Sequence, residues 1–127
     1  MNSSTYIENA KKTESVNYET IAGRLQDKSM IRILHSALGL STEAGELLDA
    51  IKKHVYYGKE LDKINLFEEV GDLFWYLAIL ADELGFSFED AMKKNNEKLA
   101  ARYGEKFTST RAIKRDLDVE RSILEQN

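Results

Sequence analysis

The sequence predicts an all-α fold, a helical bundle. Three observations predict it. Apolar residues recur at three- and four-residue spacing through two long stretches of the chain. Gly58, Gly85 and Gly104 fall where those periodic segments end, the place a left-handed helix terminus favours glycine. The 127 residues contain no proline, so long helices are permitted to run uninterrupted. No strand pattern, internal repeat or low-complexity tract competes with this reading.

Residues 1–17 are polar and rich in Asn, Ser, Thr and Lys. They read as a flexible lead-in with at most one helical turn near Tyr6-Ile7. A first periodic segment begins near Asn17 and breaks around Asp27-Lys28-Ser29, with Ser29 a candidate N-cap. From Met30 to about Tyr57, Ile33, Leu40, Ala44, Leu47 and Ile51 form a helical stripe. Gly39 and Gly45 weaken that helix by about 1 kcal/mol each relative to alanine. Residues 59–65 form a polar connection. Residues 66–84 form the second strong helix, with Leu66, Val70, Leu73, Leu77, Leu80 and Leu84 on one stripe. Ser87, with Glu89 and Asp90 in the first turn, starts a third helix that runs to about Tyr103. A fourth, weakly amphipathic helix is predicted around Arg111–Leu124. The domain proper is thus 18–107, with 108–127 a charged C-terminal helical extension.

Composition excludes several classes. An apolar share of 43% is too high for a disordered chain. The absence of cysteine removes disulfides, thiolate zinc sites and cysteine nucleophiles. The polar start carries no secretory signal pattern, and no apolar run approaches the roughly 20 residues of a membrane span. A cytoplasmic protein with no membrane partner is expected. A net charge of −4 argues against binding nucleic-acid polymers, though not against a nucleotide whose phosphates arrive with a metal.

Helical wheels at about 100° per residue locate the groups with chemistry. Glu43 and Glu46 are three apart and flank the stripe of Leu40, Leu47 and Ile51. Glu69 and Asp72 have the same spacing and flank Leu66, Leu73 and Leu77 on the same side. Asn95, Lys98 and Arg102 lie beside Met92, Leu99 and Tyr103. If the helices pack by their stripes, these flanks converge on one cleft. Four carboxylates would face an amide and two cations. Carboxylates that close need a cation, and all-oxygen ligation suits a hard ion such as Mg²⁺ or Mn²⁺. Lys98 and Arg102 would meet phosphate oxygens, Arg102 with a bidentate fork.

One acidic pair on a helix is ordinarily a solvated face; two on consecutive helices, both at a stripe edge, are less ordinary. Glu68 and Asp49 point further outward and read as surface acids, and Glu83 and Glu89 have no arrangement that distinguishes them. His35 and His54 read as structural. Phe67, Phe74, Trp75 and Tyr76 read as core or subunit interface, with one of them or Tyr57 a candidate to stack on a base. Neither histidine follows a glutamate by three residues, which removes a di-iron carboxylate bundle. No phosphate-binding P-loop, nucleophile elbow or EF-hand loop is present.

Three ordered motifs resemble those of the MazG-like nucleoside triphosphate pyrophosphohydrolases. The first is Gly39-Leu40-Ser41-Thr42-Glu43-Ala44-Gly45-Glu46-Leu47, followed by Lys52-Lys53 and Tyr57-Gly58-Lys59. The second is Glu68-Glu69-Val70-Gly71-Asp72-Leu73-Phe74-Trp75-Tyr76-Leu77. The third runs from Asn95 through Lys98-Leu99 and Arg102-Tyr103 to Lys106-Phe107. The resemblance covers about residues 30–107. It implies the helical bundle of the all-α NTP pyrophosphatase superfamily, completed by oligomerisation into a dimer or tetramer with sites near subunit interfaces. It implies Mg²⁺-dependent cleavage of a nucleoside or deoxynucleoside triphosphate to monophosphate and pyrophosphate, in the cytoplasm (that of the host where the gene is phage-borne). Carried over by motif, Glu43, Glu46, Glu69 and Asp72 would be metal ligands. Asn95, Lys98 and Arg102, with Lys53, would contact substrate. Tyr57 stands where a histidine is frequent and Gly104 where a proline is; both bear on base preference and loop shape rather than on the acidic motifs.

The expected chemistry is metal-assisted attack of water on the α-phosphorus, with Glu43 or Glu46 orienting or deprotonating the water. Lys98 and Arg102 would stabilise charge on the leaving pyrophosphate. Three alternatives stand beside it. One is a phosphoribosyl-ATP pyrophosphohydrolase. Another is a non-catalytic module that binds Mg²⁺-nucleotide. The last is a structural helical oligomer whose acids are plain surface.

Overall fold

The computed structural model describes residues 2–126, which form seven helices and no strand. Helix α1 is Ser3–Lys11, α2 Tyr18–Leu25, α3 Lys28–Tyr57, α4 Lys63–Leu84, α5 Phe88–Tyr103, α6 Ser109–Ile113 and α7 Leu117–Glu125.

Local chemistry sets the boundaries and corrects four expectations. The lead-in holds a nine-residue helix rather than one turn, because Asn2 accepts from the Thr5 N–H at 2.9 Å; α1 buries no side chain. The N-cap of α3 is Asp27, not Ser29: its Oδ1 accepts from the amides of Ser29 (2.7 Å) and Met30 (3.1 Å), two donors that have no intrahelical partner. Asp62 caps α4 in the same way through Ile64 and Asn65, so the helix starts at Lys63 and the polar connection is shorter than predicted. The single helix expected near the C-terminus is two. Lys114 leaves helical geometry (φ −94°, ψ 78°), and Asp116 caps a fresh start by accepting from Val119 N–H at 3.1 Å.

The glycines expected at helix ends are there. Gly58 follows α3 in the left-handed region at φ 65°. That turn is tied by His54, whose Nδ1 donates to the Lys59 carbonyl oxygen at 2.8 Å. Gly85 and Gly104 close α4 and α5.

Helices α3 and α4 form an antiparallel hairpin. The register is plain from paired residues. Arg32 meets Asp82 (2.6 Å) and Glu83, Gly39 lies against Tyr76, and Glu43 faces Glu69 and Asp72. The buried residues of the two helices are few, the small Ser36, Gly39 and Ala81 together with Glu69. A methyl group on Gly39 would lie 2.1 Å from Tyr76 Cε1, so this glycine is what lets the ring rest on the α3 backbone. Its low helix propensity is therefore offset by packing that the periodic pattern does not reveal. His35, Trp75 and Tyr76 stack edge-to-face beside it, with Trp75 and Tyr76 centroids 4.9 Å apart.

Helix α2 packs on α3, whereas α5 packs on α7 and α6. Ala81 is the one apolar side chain buried among the described residues. The predicted stripes are consequently half open: Leu77, Ile51 and Leu84 remain exposed, and Trp75 keeps 53% of its surface. No helix among the described residues is long and apolar enough to cross a membrane.

Candidate functional site

The α3–α4 hairpin brings three of the four predicted acids together. One carboxylate oxygen from each of Glu43, Glu69 and Asp72 lies within 4.8 Å of the others. The i,i+3 spacing of Glu69 and Asp72 places both on the α4 face that meets Glu43 across the hairpin. Glu69 is buried, Glu43 half-buried and Asp72 exposed. Glu69 accepts from Asn65 Nδ2 at 2.7 Å, one helical turn earlier. Glu43 receives a long contact of 3.4 Å from the Thr42 hydroxyl. No lysine or arginine pairs with any of the three among the described residues.

The electrostatic result is visible at Glu43. Burial pushes its carboxyl above the usual carboxylate range, and the charges of Glu46, Asp72 and Glu69 push it further the same way. Glu46 stands outside the three-carboxylate group but lines the cleft that opens beside it. That cleft has a volume of about 720 Å³. Glu69 and Asn65 line it with Glu46, and Asp49, Lys53 and Lys59 line it as well. Hard oxygen donors from separate helices, mutually repelling and partly desolvated, are a donor set that fits a divalent ion such as Mg²⁺ or Mn²⁺.

The remaining predicted residues are placed unevenly. Lys53 lines the cleft, with its ammonium 2.6 Å from Asp49. Asp49 also takes Lys52, and these two lysines lower its pKa to about 2. Asp49 is thus a half-buried organiser of the cleft wall rather than the outward surface acid the wheel predicts. Asn95, Lys98 and Arg102 are on α5, which packs on α7 and α6, and the single chain does not bring them to the carboxylates. Asn95 is exposed and Lys98 half-buried. Arg102 is gripped by Glu120 of α7, through Nε at 2.7 Å and Nη2 at 2.5 Å, and its guanidinium lies over the Tyr103 ring. Arg115 grips the same carboxylate at 2.6 Å.

Sequence reasoning passed over Asn65, read Asp49 as a surface acid and gave Lys59 no role. Asn65 carries a readable signal, since it stands four residues before Glu69 on one helix face, but only once α4 is known to start at Lys63. Glu83 was also unremarkable in sequence; its Arg32 partner lies fifty-one residues away.

The structure is an α-helical hairpin that gathers Glu43 from one arm and Glu69 and Asp72 from the other, with no lysine or arginine paired to them among the described residues. The chain is a member of the MazG nucleotide pyrophosphohydrolase domain family, which it matches over residues 33–107. The match spans most of α3, all of α4 and α5, and every motif residue named above; α6 and α7 lie beyond it. The chain is also 40% identical over 73 residues to the uncharacterized protein YvdC of Bacillus subtilis (strain 168), covering 50% of this chain and 69% of that one. No solved structure matches.

Proposed function

We propose that this protein hydrolyses nucleoside or deoxynucleoside triphosphates to the monophosphate and pyrophosphate. The observation that carries the reading is the cluster of Glu43, Glu69 and Asp72 within 4.8 Å, with Glu69 also lining a cleft, in a chain of the MazG family. These three acids would hold Mg²⁺ or Mn²⁺, and Glu46 stands beside them. A bound divalent ion supplies charge neutralisation at phosphate oxygens and a lower pKa for the attacking water. The water oxygen bonds to the α-phosphorus as the bridge to the β-phosphate breaks, and the bridging oxygen leaves with pyrophosphate. Glu46 is the acid spared from the three-carboxylate group, so its carboxylate takes the water's proton. Lys53, anchored by Asp49, meets phosphate oxygens from the cleft wall.

Asn95 and Lys98 complete the substrate site by way of a second copy of the chain; the bidentate fork expected of Arg102 is taken by Glu120, so Arg102 holds α7 rather than phosphate. A partner laid along the open stripes of α3 and α4 would cover exposed Leu77 and Ile51 and bring an α5 flank towards the cleft. A homodimer or tetramer follows from this reading, with the nucleotide as the small-molecule partner.

The test is pyrophosphate release from a panel of NTPs and dNTPs, with Mg²⁺, with Mn²⁺ and with EDTA. Metal-dependent release of pyrophosphate with equimolar monophosphate is expected, abolished by EDTA. Release of orthophosphate would move the cut to another phosphorus. Binding of Mg²⁺-nucleotide without turnover would favour a non-catalytic module. Phosphoribosyl-ATP outcompeting every panel member would reassign the substrate.

A further inference from the structure

We propose that Asn65 is a positioning residue for the metal site, holding Glu69 in a ligating orientation without discharging it. The inference rests on the metal-binding reading of the cluster. Glu69 is 5% exposed, and its carboxylate faces two other acids. Such a group is held in place only if something bonds to it. The bond comes from the Asn65 amide, Nδ2 to Oε1 at 2.7 Å, leaving Oε2 without a protein partner among the described residues.

The chemistry of the donor matters. An ammonium at the same place would orient Glu69 equally well, but it would neutralise the cluster and compete with a cation. An amide donates a hydrogen bond and carries no charge, so the cluster keeps its affinity for a positive ion. Asn65 is itself held in place. Its backbone N–H donates to Asp62 Oδ1 at 3.1 Å, which sets the first turn of α4 and the direction in which residue 65 leaves the helix. Half-buried at the cleft wall, Asn65 links the cap of α4 to the metal end of the site.

The test is Mn²⁺ titration of the full chain, with free Mn²⁺ read by electron paramagnetic resonance, for the parent, Asn65→Ala and Asn65→Lys. Alanine is compatible with a first helical turn, and Asn65→Leu supplies a second donor-free variant should the first not fold. Loss of a ligand-orienting hydrogen bond typically weakens metal affinity about 10–100-fold, and that is the expected rise in Kd for Asn65→Ala. Asn65→Lys is expected to weaken it further, despite offering a donor. If the parent turns over, the Mn²⁺ concentration for half-maximal pyrophosphate release rises with Kd, while kcat at saturating Mn²⁺ approaches the parent value. A purely structural asparagine would lower Tm and leave this metal requirement where it was. Parent-like Mn²⁺ affinity in both donor-free variants, or in Asn65→Lys, overturns the proposal. A parent that binds no Mn²⁺ overturns the metal reading itself, a result distinct from a binding parent with indifferent variants.

Discussion

Glu69 on α4 and Glu120 on α7 are each 5% exposed, yet their surroundings are opposite. Glu69 receives one neutral amide and faces two further carboxylates. Glu120 receives two guanidiniums, which hold its pKa down to about 2. The helices around them are joined differently too. Helices α3 and α4 approach closely over Ser36, Gly39 and Ala81, with Arg32 clasping one end. Helices α5 and α7 are bound by the Arg102–Glu120–Arg115 group, and Lys94 adds a bond to the Leu124 carbonyl at 3.0 Å. A compensated carboxylate serves as a fastener. An uncompensated cluster is destabilising unless a cation joins it, which makes it the candidate site.

The strongest way to break this comparison is to discharge one acid on each side. Glu69→Gln or Glu43→Gln is expected to lose more than ~100-fold in pyrophosphate release, since even orienting partners of ligands typically contribute ~10–100-fold. The fold should be retained, with a Tm equal to or above the parent's, because repulsion is removed. A variant that turned over at the parent rate would remove these residues from the site. Glu120→Gln should do the reverse: Tm falls, and amide exchange quickens in α5 and α7 before α3 and α4. Uniform exchange across all four helices would show that α7 is not a separate fastener.

Acid pH sharpens the same contrast. The folded pKa of Glu120 is depressed, so its contribution to stability is present above the ordinary carboxylate pKa of about 4.5 and lost as pH falls towards 2. Glu43 is raised, so it disfavours the fold when charged and ceases to do so as pH falls through its folded pKa. Between pH 5 and 2 (a range chosen from the Glu120 shift), the parent should lose stability that Glu120→Gln does not. Parallel Tm curves for the two proteins over that range would refute the ion-pair account.

Smaller effects separate packing from propensity within α3. Gly39→Ala should destabilise by about 1–3 kcal/mol, through overpacking against Tyr76. Gly45→Ala, whose new methyl meets nothing within 4 Å, should stabilise by up to about 1 kcal/mol. Equal effects in urea unfolding would mean that Tyr76 moves aside freely. Smallest of all is Ser36→Ala. Ser36 is fully enclosed and its Oγ has no hydrogen-bond partner among the described residues, so removing the hydroxyl should stabilise by about 1 kcal/mol. A loss of stability there would reveal a hidden partner for the hydroxyl.

The sequence by itself determined what depends on near neighbours along the chain. The presence of the long helices, the glycines at their ends and the pairing of Glu69 with Asp72 all follow from a 3.6-residue period and from capping chemistry. The candidate acids were legible for that reason, and the ordered motifs of residues 30–107 pointed to the family before any contact was known. The misreadings at Ser29, at residues 59–65 and at residues 114–116 are also local: an aspartate that serves two amides outcompetes a serine, and a periodic pattern does not register a single capped break. What only the tertiary structure decided is which charges meet. Arg32 with Glu83, Arg102 with Glu120, and Glu43 with Glu69 are separated by whole helices, and Gly39 needs the Tyr76 ring before its missing side chain has a purpose. Periodicity places a carboxylate on a helix face. Whether that carboxylate becomes a fastener or part of a metal site depends on the charge that the neighbouring helix carries to it.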